Sequence, residues 1–264
     1  MPRIEPSLGP PVDGAARPVP RERVAPPVPP PRRRRWPLLL PGLALLPVLI
    51  LAVLRWVPPP VTAYMLQSPV RPVHYRWVPA RDIAESARQA VVASEDQKFW
   101  VHHGFDLEAI RQAQEYNRNP RHHRRGASTI SQQTAKNLFL WPGGGYFRKG
   151  LEALLTVLIE RLWGKQRILE VYLNVAEFGP GVYGVEAAAE AYFDKPAARL
   201  SQAEAARLAA VLPNPRHWSV RNPGAYAQAR AAWILGQIAH GAGSPAAEEP
   251  DLPADESTDD DAGR

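Results

Sequence analysis

Glu95 and Asp96 are adjacent carboxylates within VVASEDQKFWVHHGFD (91–106), an apolar and aromatic stretch in which charge is costly. The apolar spacing predicts a helix from Ile83 to Trp100, stopped by Gly104. Val91, Glu95 and Phe99 then share one face, which sets Glu95 between apolar neighbours near the carboxyl end of the helix. Burial and the negative end of the helix dipole both disfavour the charged form of such a Glu, which suits a proton acceptor. The same spacing fits equally well a solvated Glu at a fraying helix end.

A second polar group lies in RRGASTISQQTAKNLFL (124–140). Thr129 and Gln132 have capping-box spacing after the permissive Gly126, which predicts a helix start there. Thr129, Gln132, Gln133 and Lys136 fall at i, i+3, i+4 and i+7, one polar stripe ending in a cation. Free amides at a helix N-terminus, the Ser128 and Thr129 hydroxyls and a Lys together suit an oxyanion such as phosphate. A solvated face more often carries Glu and Lys than Ser, Thr and paired Gln. Arg148 and Glu152 stand at i, i+4, and as a surface ion pair they would contribute only about 0.2–0.5 kcal/mol. The pairs His102–His103 and His122–His123 do not make a metal site, because adjacent side chains on one helix point apart.

These residues must be positioned by helices. From Pro79 to about residue 240 helical periodicity dominates, strand-like alternation is scarce, and no internal repeat is present. Leu151, Leu154, Leu155, Leu158 and Leu162 mark a long helix, Gly164 interrupts it, and Ile168, Leu169, Tyr172 and Leu173 mark the next. GVEAAAEAYF and SQAEAARLAAVL read as two further tightly packed helices. Before Pro79, the repeated Pro residues of 57–78 predict an extended connector.

The ends differ in kind. Residues 1–35 are rich in Pro and Arg and residues 243–264 are acidic, and neither buries enough apolar surface to become ordered. The formal net charge of +6 therefore averages a basic arm, an acidic tail and a basic middle. Between arm and middle, Pro37 to Leu54 runs without a charge and reaches roughly 27 Å as a helix, close to the hydrocarbon thickness of a bilayer. A single transmembrane helix over 36–56 is the expectation. A cleaved signal peptide fits less well, since the charged region is long and no small-residue cleavage site follows Leu54. Arg32 to Arg35 outweigh Arg55, which places the arm in the cytoplasm and the folded domain, 79–242, outside. The chain has no Cys, so neither disulfides nor lipoprotein acylation apply.

EDQKFWVHHGFD, RRGASTISQQTAKN, RKGLE, KQRILEVYLN and FGPGVYGVEAAAEAYF, in this order and spacing, resemble the five signature segments of the family-51 peptidoglycan glycosyltransferases. The likeness covers about residues 75–220. No S-x-x-K or K-T-G penicillin-binding pattern is present, so the resemblance is to the monofunctional members without a transpeptidase. It implies a mainly α, lysozyme-like domain following the membrane helix, and polymerisation of lipid II into β-1,4-linked glycan strands. The implied partners are lipid II and the nascent glycan chain, membrane lipid and other cell-wall synthesis proteins, with no nucleic acid. No cofactor is required, although Mg²⁺ or Mn²⁺ stimulates some relatives.

Residue by residue, the resemblance makes Glu95 the general base and Glu152 the second catalytic carboxylate, which organises the leaving pyrophosphate and the pocket. Lys136 matches the family's pyrophosphate contact, and Arg148, Lys149 and Arg125 add positive potential. Ser128, Thr129, Gln132 and Gln133 would line the donor side, and Lys165 the acceptor side. Asp96, Phe99, His103, Gly104, Asn137 and Asn174 are expected to be structural, with Asp96 bonded to nearby amides. One departure stands out: many members carry an Arg four residues before the Arg-Lys pair, where this chain has Gly144. Either Arg124 and Arg125 compensate or donor binding is weaker. The surrounding loop, with Leu140, Trp141, Tyr146 and Phe147, suits a membrane interface as well as a surface loop. A lytic enzyme of the same fold would have no use for Lys136 and Arg148 as pyrophosphate contacts, and a non-catalytic scaffold would not keep every polar segment.

Overall fold

Seven of the eleven residues of one helix, α7 (Lys165–Val175), are buried: Ile168, Leu169 and Val171 to Val175. A helix apolar nearly all round is a core helix, and the others are arranged about it. The computed structural model describes residues 36–119 and 126–240, with Gly9 and Pro250 as isolated positions; for 36–44 it describes the backbone alone. The N-terminal arm, the acidic tail, and His122, His123, Arg124 and Arg125 lie outside the described residues.

Among the described residues the chain is mainly helical, as expected. α1 (Trp36–Leu54) and α2 (Ala63–Leu66) precede α3 (Glu85–Glu95), α4 (Leu107–Tyr116) and α5 (Ile130–Phe139). α6 (Tyr146–Leu162) and α7 are separated at Gly164, where the apolar pattern breaks. α8 (Val185–Phe193), α9 (Gln202–Ala210) and α10 (Ala225–His240) complete the set. One small sheet has the order β1 (His74–Tyr75), β3 (Val182–Tyr183), β2 (Glu177–Gly179), with β1 parallel and β2 antiparallel to β3.

Two groups of helices matter for the site. α3, α9 and α10 pack together through small side chains: Ala87, Ala90 and Ala93 on α3, Ala205, Ala206 and Ala209 on α9, and Ala227 and Ala231 on α10. α5 packs against α6 and α7 through Ile130, Thr134, Ala135 and Leu138. Each buried Ile or Leu in this second group contributes about 1.5–3 kcal/mol of transfer free energy.

Two expectations are corrected. The helix predicted over Ile83 to Trp100 is shorter, because the chain turns out of helical geometry at Asp96 (φ −163°). Its carboxylate there accepts the backbone N–H of Ile130 at 3.0 Å, a partner far along the chain that local spacing does not reveal. The connector at 57–78 is not wholly extended either. Between Pro60 and Pro69 the Pro-free run VTAYMLQS forms α2, capped by the Thr62 hydroxyl, which accepts the Met65 N–H at 3.2 Å.

Among the described residues the chain divides into two units at Gly42. Within the second unit the end of α1 is tied down. Trp163 Nε1 donates to the Leu51 carbonyl at 2.8 Å, and Arg167 Nη2 to the Leu54 carbonyl at 2.7 Å. Among the described residues no helix is long and apolar enough to cross a membrane, and the first part of the expected span, Pro37 to Leu54, has no described side chains.

Candidate active site

Glu95 is the last residue of α3, and its side chain is only 10% exposed. Its two oxygens have different surroundings. Oε2 accepts Gln133 Nε2 at 2.8 Å, and the Gln133 Oε1 in turn accepts the Tyr172 hydroxyl at 3.1 Å. Oε1 has no hydrogen bond, and its nearest cation is Arg230 Nη2 of α10 at 3.6 Å. Arg230, itself buried, donates from that nitrogen to the Ser94 carbonyl at 3.1 Å. Burial pushes the Tyr172 phenol well above its ordinary value of 10, and the charges of Glu95 and Asp96 push it the same way. The phenol therefore keeps its proton and acts as a donor.

A cleft of about 470 Å³ opens beside Glu95, lined among others by Ser94, Lys98, Ser128, Thr129, Trp233 and Gln237. Its floor is fixed by Asp96, whose Oδ2 takes the Ile130 amide and whose carboxylate also accepts His102 Nε2 at 2.8–2.9 Å. The Gly104 N–H donates to His102 Nδ1 at 3.0 Å, which leaves the proton on Nε2. Thr129 closes the circuit by donating to the Gly104 carbonyl at 2.7 Å, while its hydroxyl accepts the Gln132 N–H to cap α5 and its own N–H donates to Gln132 Oε1 at 3.0 Å. Gly104 has φ +96°, and a Cβ there would meet Thr156 Cγ2 at 2.9 Å, so both backbone and space demand glycine.

The second carboxylate is built differently. Glu152 is 2% exposed and both its oxygens are taken: Oε2 by Arg148 Nη1 at 2.9 Å, Oε1 by Lys149 Nζ. The surface ion pair that spacing suggests is therefore a buried one, because α6 turns this face onto α5. Lys149 Nζ also donates to Ser128 Oγ at 3.3 Å, which links the cationic cluster to the Glu95 cleft. Lys136, on the last turn of α5, sits with Nζ 5.4 Å from the Tyr64 ring centroid and is not among the residues lining the cleft.

The transglycosylase family model matches residues 63–239. The biosynthetic peptidoglycan transglycosylase of Xanthomonas oryzae pv. oryzae is 54% identical over 222 residues, covering 79% of this chain and 90% of that protein. Those of Pseudomonas aeruginosa and Pasteurella multocida are 53% and 52% identical, covering 72% and 70% of this chain and 85% and 78% of theirs. The chain belongs to the transglycosylase family.

Of the five segments of this transglycosylase that the sequence singles out, the first, third and fourth meet the second at α5, and the fifth, in β2, β3 and α8, packs on α7 instead. Ser128 and Thr129 line the cleft with Glu95, while Gln132 is spent on the cap and Gln133 on Glu95. Lys165 does not face the cleft: its Nζ pairs with Glu160 Oε1 at 2.7 Å and lies 4.7 Å over the buried Phe99 ring. Asn174 is structural, its amide clamping both backbone groups of Val78 at 2.9 Å, and Asn137 is buried. Of the two histidines, His102 is the one against Asp96, and His103 is exposed. Arg125 lies outside the described residues.

Gly144 takes φ +95°, and a Cβ there would lie 3.0 Å from Trp141 Nε1 and 3.4 Å from Arg148. An Arg at this position would be strained, so the loop is shaped for the residue present. Sequence reading missed Arg230, Tyr172 as a hydroxyl donor, and Glu160, to which Ser131 Oγ and Lys165 both donate. Only the resemblance of KQRILEVYLN pointed near Tyr172. Among the described residues no group of three or more His, Asp or Glu is placed to hold a metal ion.

Proposed function

We propose that this chain polymerises lipid II into β-1,4-linked glycan strands by inverting glycosyl transfer with Glu95 as general base. The activity class follows from the family and the relatives' names: the chain is a peptidoglycan glycosyltransferase of cell-wall synthesis. The mechanism rests on one observation, a nearly buried carboxylate at a cleft with one oxygen held and the other without a hydrogen bond. The Glu95 carboxylate takes the proton from the 4-hydroxyl of the acceptor GlcNAc. That oxygen then bonds to C1 of the donor MurNAc, the bond from C1 to the pyrophosphate oxygen breaks, and undecaprenyl pyrophosphate leaves. Arg148, Lys149 and Lys136 stabilise the negative charge that develops on the leaving group, worth roughly 3–4 kcal/mol for a preorganised donor in a dry site. Glu152 holds two of those cations in place. Any effect of Mg²⁺ or Mn²⁺ would act through the pyrophosphate.

Such a substrate needs a cell-envelope location, with the catalytic body at the membrane surface. The lysozyme-like arrangement and the domain limits expected from sequence belong to the same reading. Exposed Trp56, Val57, Val61, Leu66, Tyr146 and Phe147 support contact of this body with lipid. Arg32 to Arg35 against Arg55 supports a single span with the N-terminus in the cytoplasm. A reporter active only in the cytoplasm should work before Arg32 and fail after Trp56.

Purified chain with labelled lipid II tests the activity. It should yield a lysozyme-digestible polymer and free undecaprenyl pyrophosphate, and should not solubilise preformed glycan. Release of soluble fragments from glycan without consumption of lipid II would replace this reading with a lytic one.

A further inference from the structure

A carboxylate has two equivalent oxygens, and a base that is free to rotate wastes part of its encounters with the acceptor hydroxyl. The environment of Glu95 removes that equivalence. Gln133 sits on α5 and Tyr172 on α7, so the restraint reaches Glu95 from elements other than its own. A Gln side chain can present either its carbonyl or its amino group, one half-turn apart. A carboxylate accepts only, so it requires the amino group. A phenol that keeps its proton supplies the donor that the carbonyl then needs.

We infer that Tyr172 is a positioning residue that acts on Glu95 through Gln133, anchoring Oε2 and so fixing the orientation of the carboxylate. The inference rests on Glu95 being the base. Tyr172 is 1% exposed, so it does not touch substrate, and its ring serves the core while its hydroxyl serves the relay. The order along the relay is Tyr172 O–H to Gln133 Oε1 at 3.1 Å, then Gln133 N–H to Glu95 Oε2 at 2.8 Å. Arg230 approaches the other oxygen without replacing the relay. Its Nη2 stands 3.6 Å from Oε1, beyond hydrogen-bond reach, and bonds instead to the Ser94 carbonyl. Asp96, next in sequence, is turned away to His102 and the Ile130 amide. Oε1 is left buried and without a hydrogen bond, so the amide on Oε2 is the hydrogen bond that orients the carboxylate.

The test is a double-mutant cycle on the full-length chain with labelled lipid II. Tyr172→Phe keeps the ring and removes the hydroxyl; Gln133→Met keeps the length of the side chain and removes both hydrogen bonds. Tyr172→Phe should lower kcat about tenfold with KM within about twofold, and Gln133→Met should lower kcat further. The double variant should be no slower than Gln133→Met alone, since the hydroxyl acts only through the amide. Full kcat in Tyr172→Phe, or effects that multiply in the double variant, would overturn the relay. If Tyr172→Phe does not fold, Gln133→Met carries the test by itself, because it leaves the buried ring in place. A kcat loss with KM retained supports the relay, and an unchanged kcat overturns it. Glu95→Gln, assayed alongside, separates the two readings. An inactive Glu95→Gln with a fully active Tyr172→Phe removes the relay alone, whereas an active Glu95→Gln removes the base and the relay together.

Discussion

Glu95 and Glu152 are both largely buried, and α5 packs beside each of them, yet their surroundings are opposites. Glu152 is closed: two cations occupy its two oxygens. Glu95 is less saturated: it lines the cleft, a neutral amide holds one oxygen, and the other has no hydrogen bond and only Arg230 at 3.6 Å. A saturated carboxylate holds cations in place, and an unsaturated one can take up a proton. Ser128, which accepts from Lys149 and lines the cleft, is the point where the two regions meet.

The largest effect on stability should come from the closed site. Glu152→Gln leaves Arg148, 6% exposed, without its counter-charge, and removing one partner of a buried pair costs about 3–5 kcal/mol. Thermal or urea unfolding should show that loss, together with slower turnover because the cations shift. A variant as stable as the parent would mean that the pair is not the holding element described here.

Lys136 should come next. If its charge stabilises the departing pyrophosphate, Lys136→Ala raises the barrier by roughly 2–4 kcal/mol, and Lys136→Arg restores part of it, since a planar fork replaces a compact charge. Single-turnover rates with lipid II measure this. Unchanged turnover would reduce the Lys136 end of the stripe to a solvated face and leave Arg148 and Lys149 as the donor-side cations.

The smallest effect concerns a carboxylate far from either site. Glu204 caps α9, and the hydrogen bond from Lys195, helped by those from Ser201, holds it down at about 2 against an ordinary 4.5. A depressed carboxylate stabilises the fold above its ordinary value and loses that contribution as pH falls through the folded value. Acid melts between about pH 4.5 and pH 2 should therefore show a component that Glu204→Gln abolishes. The effect is small because the pair is partly exposed.

Much of the closed site was legible in sequence. Arg148 and Glu152 are one turn apart, Thr129 and Gln132 three residues apart, and Gly164 breaks an apolar period, so local rules reach all of them. The open site was legible as far as Glu95, the amide-bonded Asp96 and the polar run from Ser128 to Gln133. Asp96 ends α3 early because its carboxylate has a partner on α5, and a helix rule sees neither. Tyr172 reads as one apolar position among several on α7, and its hydroxyl matters only once α5 is packed against it. Arg230 lies on α10, at the far end of the folded body in sequence, and reaches Ser94 and Glu95 through the packing of α3 and α10. Residue types and periods show which helices exist. They do not show which buried hydroxyl or guanidinium will meet a carboxylate from another helix.

The measurement that bears most directly on the contrast is a paired one: melting temperature and single-turnover lipid II polymerisation for Glu95→Gln and Glu152→Gln side by side. Glu95→Gln should lose less stability than Glu152→Gln, because it takes the counter-charge from one cation, Arg230 at 3.6 Å, and Glu152→Gln from two, while its rate falls at least about a hundredfold. Glu152→Gln should melt well below both. Near-normal polymerisation by Glu95→Gln, or a melting loss there as large as that of Glu152→Gln, would contradict the account.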